Sequence, residues 1–177
     1  MRLPALEKNI LVYRALQMAL FLFYAEDLRR FIVETLEPVV KRHSKAAELK
    51  GAKLLKKIFA MLVSDKVISL EESNELQQLL AHRNTIAHEI HMLTGDIQAP
   101  GLPYGFRESL RLRYDYSALN RMKKWHKVLP TRFMAKYIMV VSFSGVLFDA
   151  AESAYERELV SLKRRIDKQF MQRKKAL

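Results

Sequence analysis

From Ala5 to Glu37 the chain contains neither glycine nor proline, and good helix formers dominate it. A stretch of that length without a breaker satisfies its backbone most simply as helix. The spacing therefore predicts one long helix, or two abutting ones, ending where Pro38 removes a backbone donor. The breakers gather elsewhere: three of the five glycines and two of the five prolines fall between Thr94 and Gly105. That cluster predicts a loop and an internal boundary.

Helical periodicity recurs on both sides of it. Val39 to Lys50 reads as a basic, polar connection with Gly51 as its stop. Leu54, Leu55, Ile58, Phe59 and Leu62 recur at three- and four-residue spacing, predicting an amphipathic helix with Lys56 and Lys57 outward and a turn at Ser64-Asp65-Lys66. Ser69 and Glu72 stand at capping-box spacing and open a helix through Leu70, Leu76, Leu79 and Leu80. Asp115 or Ser117 caps a further helix through Leu119, Met122 and a core Trp125. Pro130-Thr131 opens the last long run, whose second half carries the stripe Tyr155, Leu159, Leu162, Ile166 and Phe170. Only Leu110 to Tyr116 alternates with period two, which predicts a lone strand or extended arm with Arg111 and Arg113 on one side. The expected class is all-α: a helical core over residues 1–95, a loop and extended arm over 96–116, and basic helices over 117–177 packed on the same domain.

Charge narrows the function. The chain's 31 Lys and Arg against 19 Asp and Glu leave a formal +12, an excess that favours a polyanionic partner such as RNA, DNA or an anionic membrane. No cysteine is present, which removes disulfides, thiolate metal sites and cysteine nucleophiles together and fits a reducing, cytoplasmic setting. Arg2, Lys8 and Arg14 before the apolar run Ala15 to Ala25 resemble a signal peptide, but Phe23-Tyr24-Ala25 lacks a small-x-small cleavage pattern and passes directly into Glu26-Asp27-Leu28-Arg29-Arg30. Neither this run nor Phe133 to Phe148, interrupted by Lys136, reaches membrane-spanning length, so no membrane span is expected.

One stretch looks built for chemistry: His82-Arg83-Asn84-Thr85-Ile86-Ala87-His88. It follows the run Ser69 to Ala81, at what reads as a junction with a second helical run ending near Leu93. If residues 83–93 are helical, Asn84, His88 and His91 share one face while Ile86, Ile90 and Leu93 share the opposite one. Histidine can accept and return a proton near neutrality, and arginine offers a planar fork of donors to a phosphate. Three imidazoles, His82, His88 and His91, with Glu89 between the last two, also invite a metal reading. The spacing is not His-Glu-x-x-His, however, and no metal or cofactor is expected. His91 and His82 are then auxiliary cleft residues. His43 and His126, in basic and polar surroundings, read as surface groups. Arg107, Arg111 and Arg113, with Lys123 and Lys124 on the next helix, are the candidates for phosphate contact.

Arg83 followed five residues later by His88, with Asn84 directly after the arginine, resembles the Arg-x4-6-His signature of the HEPN superfamily, small helical proteins that include many metal-independent RNases. The resemblance covers roughly residues 5 to 95. It implies a HEPN-like helical bundle with a long C-terminal extension, and an endoribonuclease that leaves 2′,3′-cyclic phosphate and 5′-OH ends. It further implies His88 as general acid or base, Arg83 as phosphate stabiliser and Asn84 as orienter. Family members usually form homodimers with two motifs facing one cleft, in toxin–antitoxin or phage-defence settings where an antitoxin or regulatory protein is a further partner. The toxin branch paired with a nucleotidyltransferase antitoxin carries a tyrosine two residues beyond the histidine; here Ile90 stands there, so control by modifying that tyrosine is not supported. The runner-up is a non-catalytic RNA-binding or regulatory dimer. A third reading, a membrane-surface protein using its basic C-terminus, follows from charge alone.

Overall fold

A computed structural model describes residues 4–43, 50–88, 114–137 and 145–175, with side chains except at positions 43, 87, 88 and 145–148. The protein is all-α. Five helices account for nearly all the described residues, among which there is no strand: α1 (Ala5–His43), α2 (Gly51–Ser64), α3 (Leu70–His88), α4 (Ala118–Met134) and α5 (Gly145–Lys175). The expected loop over 94–105, and Leu110 to Arg113 of the alternating stretch, lie outside the described residues. Its last residues, Tyr114 to Tyr116, form no strand.

Packing divides the chain into two compact units that do not follow chain order. One gathers Leu22–Asn84 and Asn120–Phe143; the other gathers Met1–Phe21, Thr85–Leu119 and Ser144–Leu177. Helices α1, α3 and α4 each contribute to both.

In the first unit the buried side of α1 is Tyr24, Leu28, Ile32, Leu36 and Val40, and this four-residue rhythm runs past Pro38 in a helix that continues to His43. Pro38 does not end it, as its composition had suggested. The proline ring is exposed and forfeits one backbone bond, while Leu36 and Val40 on either side are buried and keep the turn in place. Gly51 likewise opens α2 rather than stopping the segment before it, at φ +58° beside an extended Lys50. That left-handed backbone suits glycine at little cost. Leu54, Ile58, Phe59 and Leu62 of α2 are buried as expected, each contributing about 1.5–3 kcal/mol.

The turn into α3 follows the predicted design. Asp65 N–H bonds to the Met61 carbonyl, Lys66 takes a positive φ of 58°, and the capping box closes from both sides. Ser69 N–H donates to Glu72 Oε2 at 2.9 Å and Glu72 N–H donates to Ser69 Oγ at 3.2 Å. Helix α4 then lays Met122, Trp125, Leu129 and Phe133 into the core. Pro130 stands inside α4 and does not begin a new helix; buried Leu129 and Phe133 flank it and hold the turn. Arg132 ties α4 to the α3 entrance: Nη1 and Nη2 donate to Glu72 Oε2 and Oε1 at 2.7 and 3.0 Å.

In the second unit Leu6, Met18, Leu20 and Phe21 of α1, Leu159 and Leu162 of α5, Ile86, and Leu119 form the buried set. Asp115 opens α4, its carboxylate accepting Ser117 N–H at 2.8 Å and the Ser117 hydroxyl at 2.6 Å. Arg14 is buried beside Tyr114 and Tyr116, its guanidinium 5.3 Å from each ring and its Nε donating to Tyr116 Oη at 2.7 Å. Burial pushes the Tyr114 phenol above its ordinary range. No described helix is long and apolar enough to cross a membrane.

Candidate functional site

Arg83 and Asn84 lie near the end of α3, which runs unbroken from Leu70 to His88. The junction expected before Arg83 is absent: the capping-box helix itself carries the motif, because Leu76, Leu79, Leu80 and Ile86 keep one side buried throughout. Asn84 and His88 are thus four residues apart in one helix, the interval at which positions share a face. The His88 side chain lies outside the described side chains, and Ile90, His91, Leu93, Arg107, Arg111 and Arg113 lie outside the described residues altogether.

What the motif touches is defined at its first two residues. Arg83 Nη1 donates to Asn84 Oδ1 at 2.8 Å, and Arg83 Nη2 forms an ion pair with Glu26 Oε1 of α1. Glu26 in turn has Arg29 Nη1 at 3.9 Å, one helical turn along. All four line a cavity of about 610 Å³ among α1, α2 and α3. Phe59 and Leu80, both buried, and half-buried Leu55 supply its apolar wall, while Lys56 and Gln77 add a cation and an amide. The volume falls within the range of small-ligand sites. Three cations against one carboxylate suit an anionic group seated against an apolar surface.

The other sequence candidates stand apart from this cavity. His82 is half-buried and does not line it. Lys123 and Lys124 do not line it either: on α4, Lys123 Nζ lies 5.7 Å from the centre of the Tyr24 ring and Lys124 Nζ 5.9 Å from that of Trp125. His126 is not a plain surface group. Its Nε2 donates to Asp27 Oδ2 at 2.8 Å and its ring meets Tyr24 edge-on with centroids 5.0 Å apart. The His126 bond, seconded by Arg30 at 2.7 Å, holds the Asp27 carboxyl below the ordinary aspartate range against the opposing effect of burial. Glu26 and Asp27 as partners of distant residues, and Arg29 as part of the cavity wall, were missed in the sequence. Their signal was Glu26-Asp27-Leu28-Arg29-Arg30, four charges interrupting an apolar stretch in mid-helix. Among the described residues no cluster of His, Asp and Glu is arranged to hold a metal ion. No family model, curated protein or solved structure matches the chain.

Proposed function

We propose that the chain is a HEPN-like, metal-independent endoribonuclease that cleaves RNA to 2′,3′-cyclic phosphate and 5′-OH ends. Breaking an RNA strand without a metal needs a base for the 2′-OH proton, a cation at the in-line phosphorane and a group that orients them. In this reading Arg83 stabilises the phosphorane, Asn84 fixes the guanidinium and His88 exchanges the proton. A homodimer places a second His88 on the leaving 5′ oxygen, so that one histidine acts as base and the other as acid. A toxin or phage-defence role, with an antitoxin or regulatory protein as partner, is carried by the family resemblance alone.

The observation that best supports this reading is the Arg83–Asn84 hydrogen bond at the edge of a cation-rich cavity, on the helix that reaches His88 one turn later. The second reading, an RNA-binding dimer that does not cleave, has its own support: Arg83 is engaged by Glu26, a contact that also serves to hold α3 to α1. Wild type, Arg83→Ala and His88→Ala, incubated with labelled tRNA and mRNA in EDTA, separate the two. Cleavage by wild type alone, leaving cyclic phosphate ends, is the expected result. No cleavage, with salt-dependent RNA retention by all three proteins, returns the motif to structure and leaves a binding module.

A further inference from the structure

Helix α5 carries its charges on two different sides. Arg173 pairs with Glu7 of α1 at 2.9 Å, and Arg165 with Glu158 at 3.2 Å, so these two cations are committed within the protein. Leu159 and Leu162 are buried on the side of Arg173, while Arg165 and Glu158 lie between that side and the opposite one. Opposite the two leucines, Arg157, Arg164, Lys168 and Lys175 fall within about 40° of one line along the helix at 100° per residue, and all four are exposed. None of the four is paired with a described carboxylate; Arg157 only donates its Nε to the Ser153 carbonyl at 3.1 Å. From Arg164 to Lys175 the chain has a single acidic residue, Asp167, to one side of the row; Glu156 and Glu158 flank Arg157, and Glu158 pairs with Arg165.

We infer that this row is a docking surface for the phosphate backbone of an RNA strand. At 1.5 Å per residue it extends about 27 Å, with intervals of about 10, 6 and 10 Å. One free phosphate or a short acidic peptide reaches one or two of these cations. A strand with phosphates at regular intervals reaches all of them together and gains from releasing its counterions. A bilayer suits the face less well, because the exposed large apolar residues of α5 are only Val160 and Met171 beside the row and Phe170 well away from it, whereas a surface-lying helix buries a broad apolar side. The choice of RNA over DNA rests on the nuclease reading; the phosphate surface itself does not.

The test is fluorescence anisotropy with a labelled 20-nucleotide RNA over a salt series, in full-length His88→Ala protein so that turnover does not intervene. Arg164→Glu/Lys168→Glu is expected to weaken binding at least about tenfold at physiological salt. It should also flatten the log Kd against log salt line by about 1.4, some 0.7 for each lost phosphate contact. Lys53→Glu/Lys57→Glu on α2, an equal change in net charge, is expected to stay within about twofold. The neutral pair Arg164→Gln/Lys168→Gln should fall between them, and far-UV circular dichroism shows that α5 still folds. Equal weakening by the α5 and α2 pairs overturns the surface, as does protein that sediments with phosphatidylserine vesicles and leaves the RNA unbound. Equal affinity for DNA of the same sequence overturns the assignment to RNA. Because cleavage is scored separately in the wild-type background, an inactive wild type sinks the nuclease reading without touching this result.

Discussion

Two arginine–glutamate pairs in one compact unit are put to opposite uses. Arg132 meets Glu72 with both terminal nitrogens, donates a further bond to the Val67 carbonyl at 3.2 Å, and stacks its guanidinium 5.7 Å from the Trp125 ring. Glu72 is equally committed, closing the capping box through the Ser69 N–H. Arg83 meets Glu26 through one nitrogen and turns the other to its neighbour Asn84. Both pairs line cavities, of about 610 Å³ at Arg83 and about 660 Å³ at Arg132. The exposed fractions of the two arginine side chains are the same, 37% each. What separates them is saturation, not exposure. An arginine whose fork is filled by a bidentate carboxylate and a carbonyl holds structure, whereas one that meets its carboxylate through a single nitrogen can exchange that partner for a phosphate.

The largest test of this contrast is activity. His88→Ala and Arg83→Ala should each lower RNA cleavage by about a hundredfold or more, the scale for losing a general acid or base or a charge-stabilising group. Arg83→Ala should shift the urea unfolding free energy by less than about 1 kcal/mol, since its ion pair is substantially exposed. A variant that loses activity only in proportion to its loss of folded protein would place Arg83 with Arg132 among the structural arginines.

Arg132→Gln should behave in the opposite way, costing about 2 kcal/mol of stability after allowing for its partial exposure, while cleavage per folded molecule stays unchanged. Acid titration sharpens the assignment. The Arg132 hydrogen bonds, with the Ser69 N–H, hold the Glu72 carboxyl below the ordinary glutamate range. A folded value below the unfolded one means the stabilisation is complete above the unfolded value and is lost as pH falls through the folded one. Wild type should therefore lose stability on acidification through and below the ordinary glutamate range more steeply than Arg132→Gln. Parallel curves would show that Arg132 does not set the Glu72 titration.

Ser69→Ala probes the same corner at lower amplitude, with an expected cost of about 1 kcal/mol for the lost cap and no change in RNA binding. This device was readable in advance because every part of it is local. So were the α2 stripe, the turn at Asp65 and the burial of Trp125, each fixed by spacing within a few residues. Proline and glycine misled where tertiary packing outweighed local preference: Leu36 and Val40 carry α1 past Pro38, Leu129 and Phe133 carry α4 past Pro130, and Gly51 uses its freedom at a helix start. Arg83 and Asn84 were legible as a motif. Their setting was not, because Glu26 is 57 positions from Arg83, and Asp27 is 99 from the histidine it holds. Pairing over such separations depends on helix packing that no periodicity encodes.

The smallest expected effect bears most directly on the contrast. In Glu26→Gln the cavity keeps its shape and its amide-bearing wall, but the carboxylate that competes for the Arg83 fork is gone. If Glu26 occupies the place of the incoming phosphate, RNA should bind a fewfold more tightly, chiefly through a lower KM. Stability should move by no more than about 0.5 kcal/mol, as for an exposed ion pair. The gain should shrink as salt rises, because screening weakens the competing carboxylate and the RNA phosphate alike. If Glu26 instead positions Arg83 for the reaction, the same substitution should lower kcat and leave binding untouched. The KM against kcat split thus decides whether the carboxylate is a stand-in for substrate or part of the machinery. A stability loss near 2 kcal/mol with neither change would show that both arginines are structural.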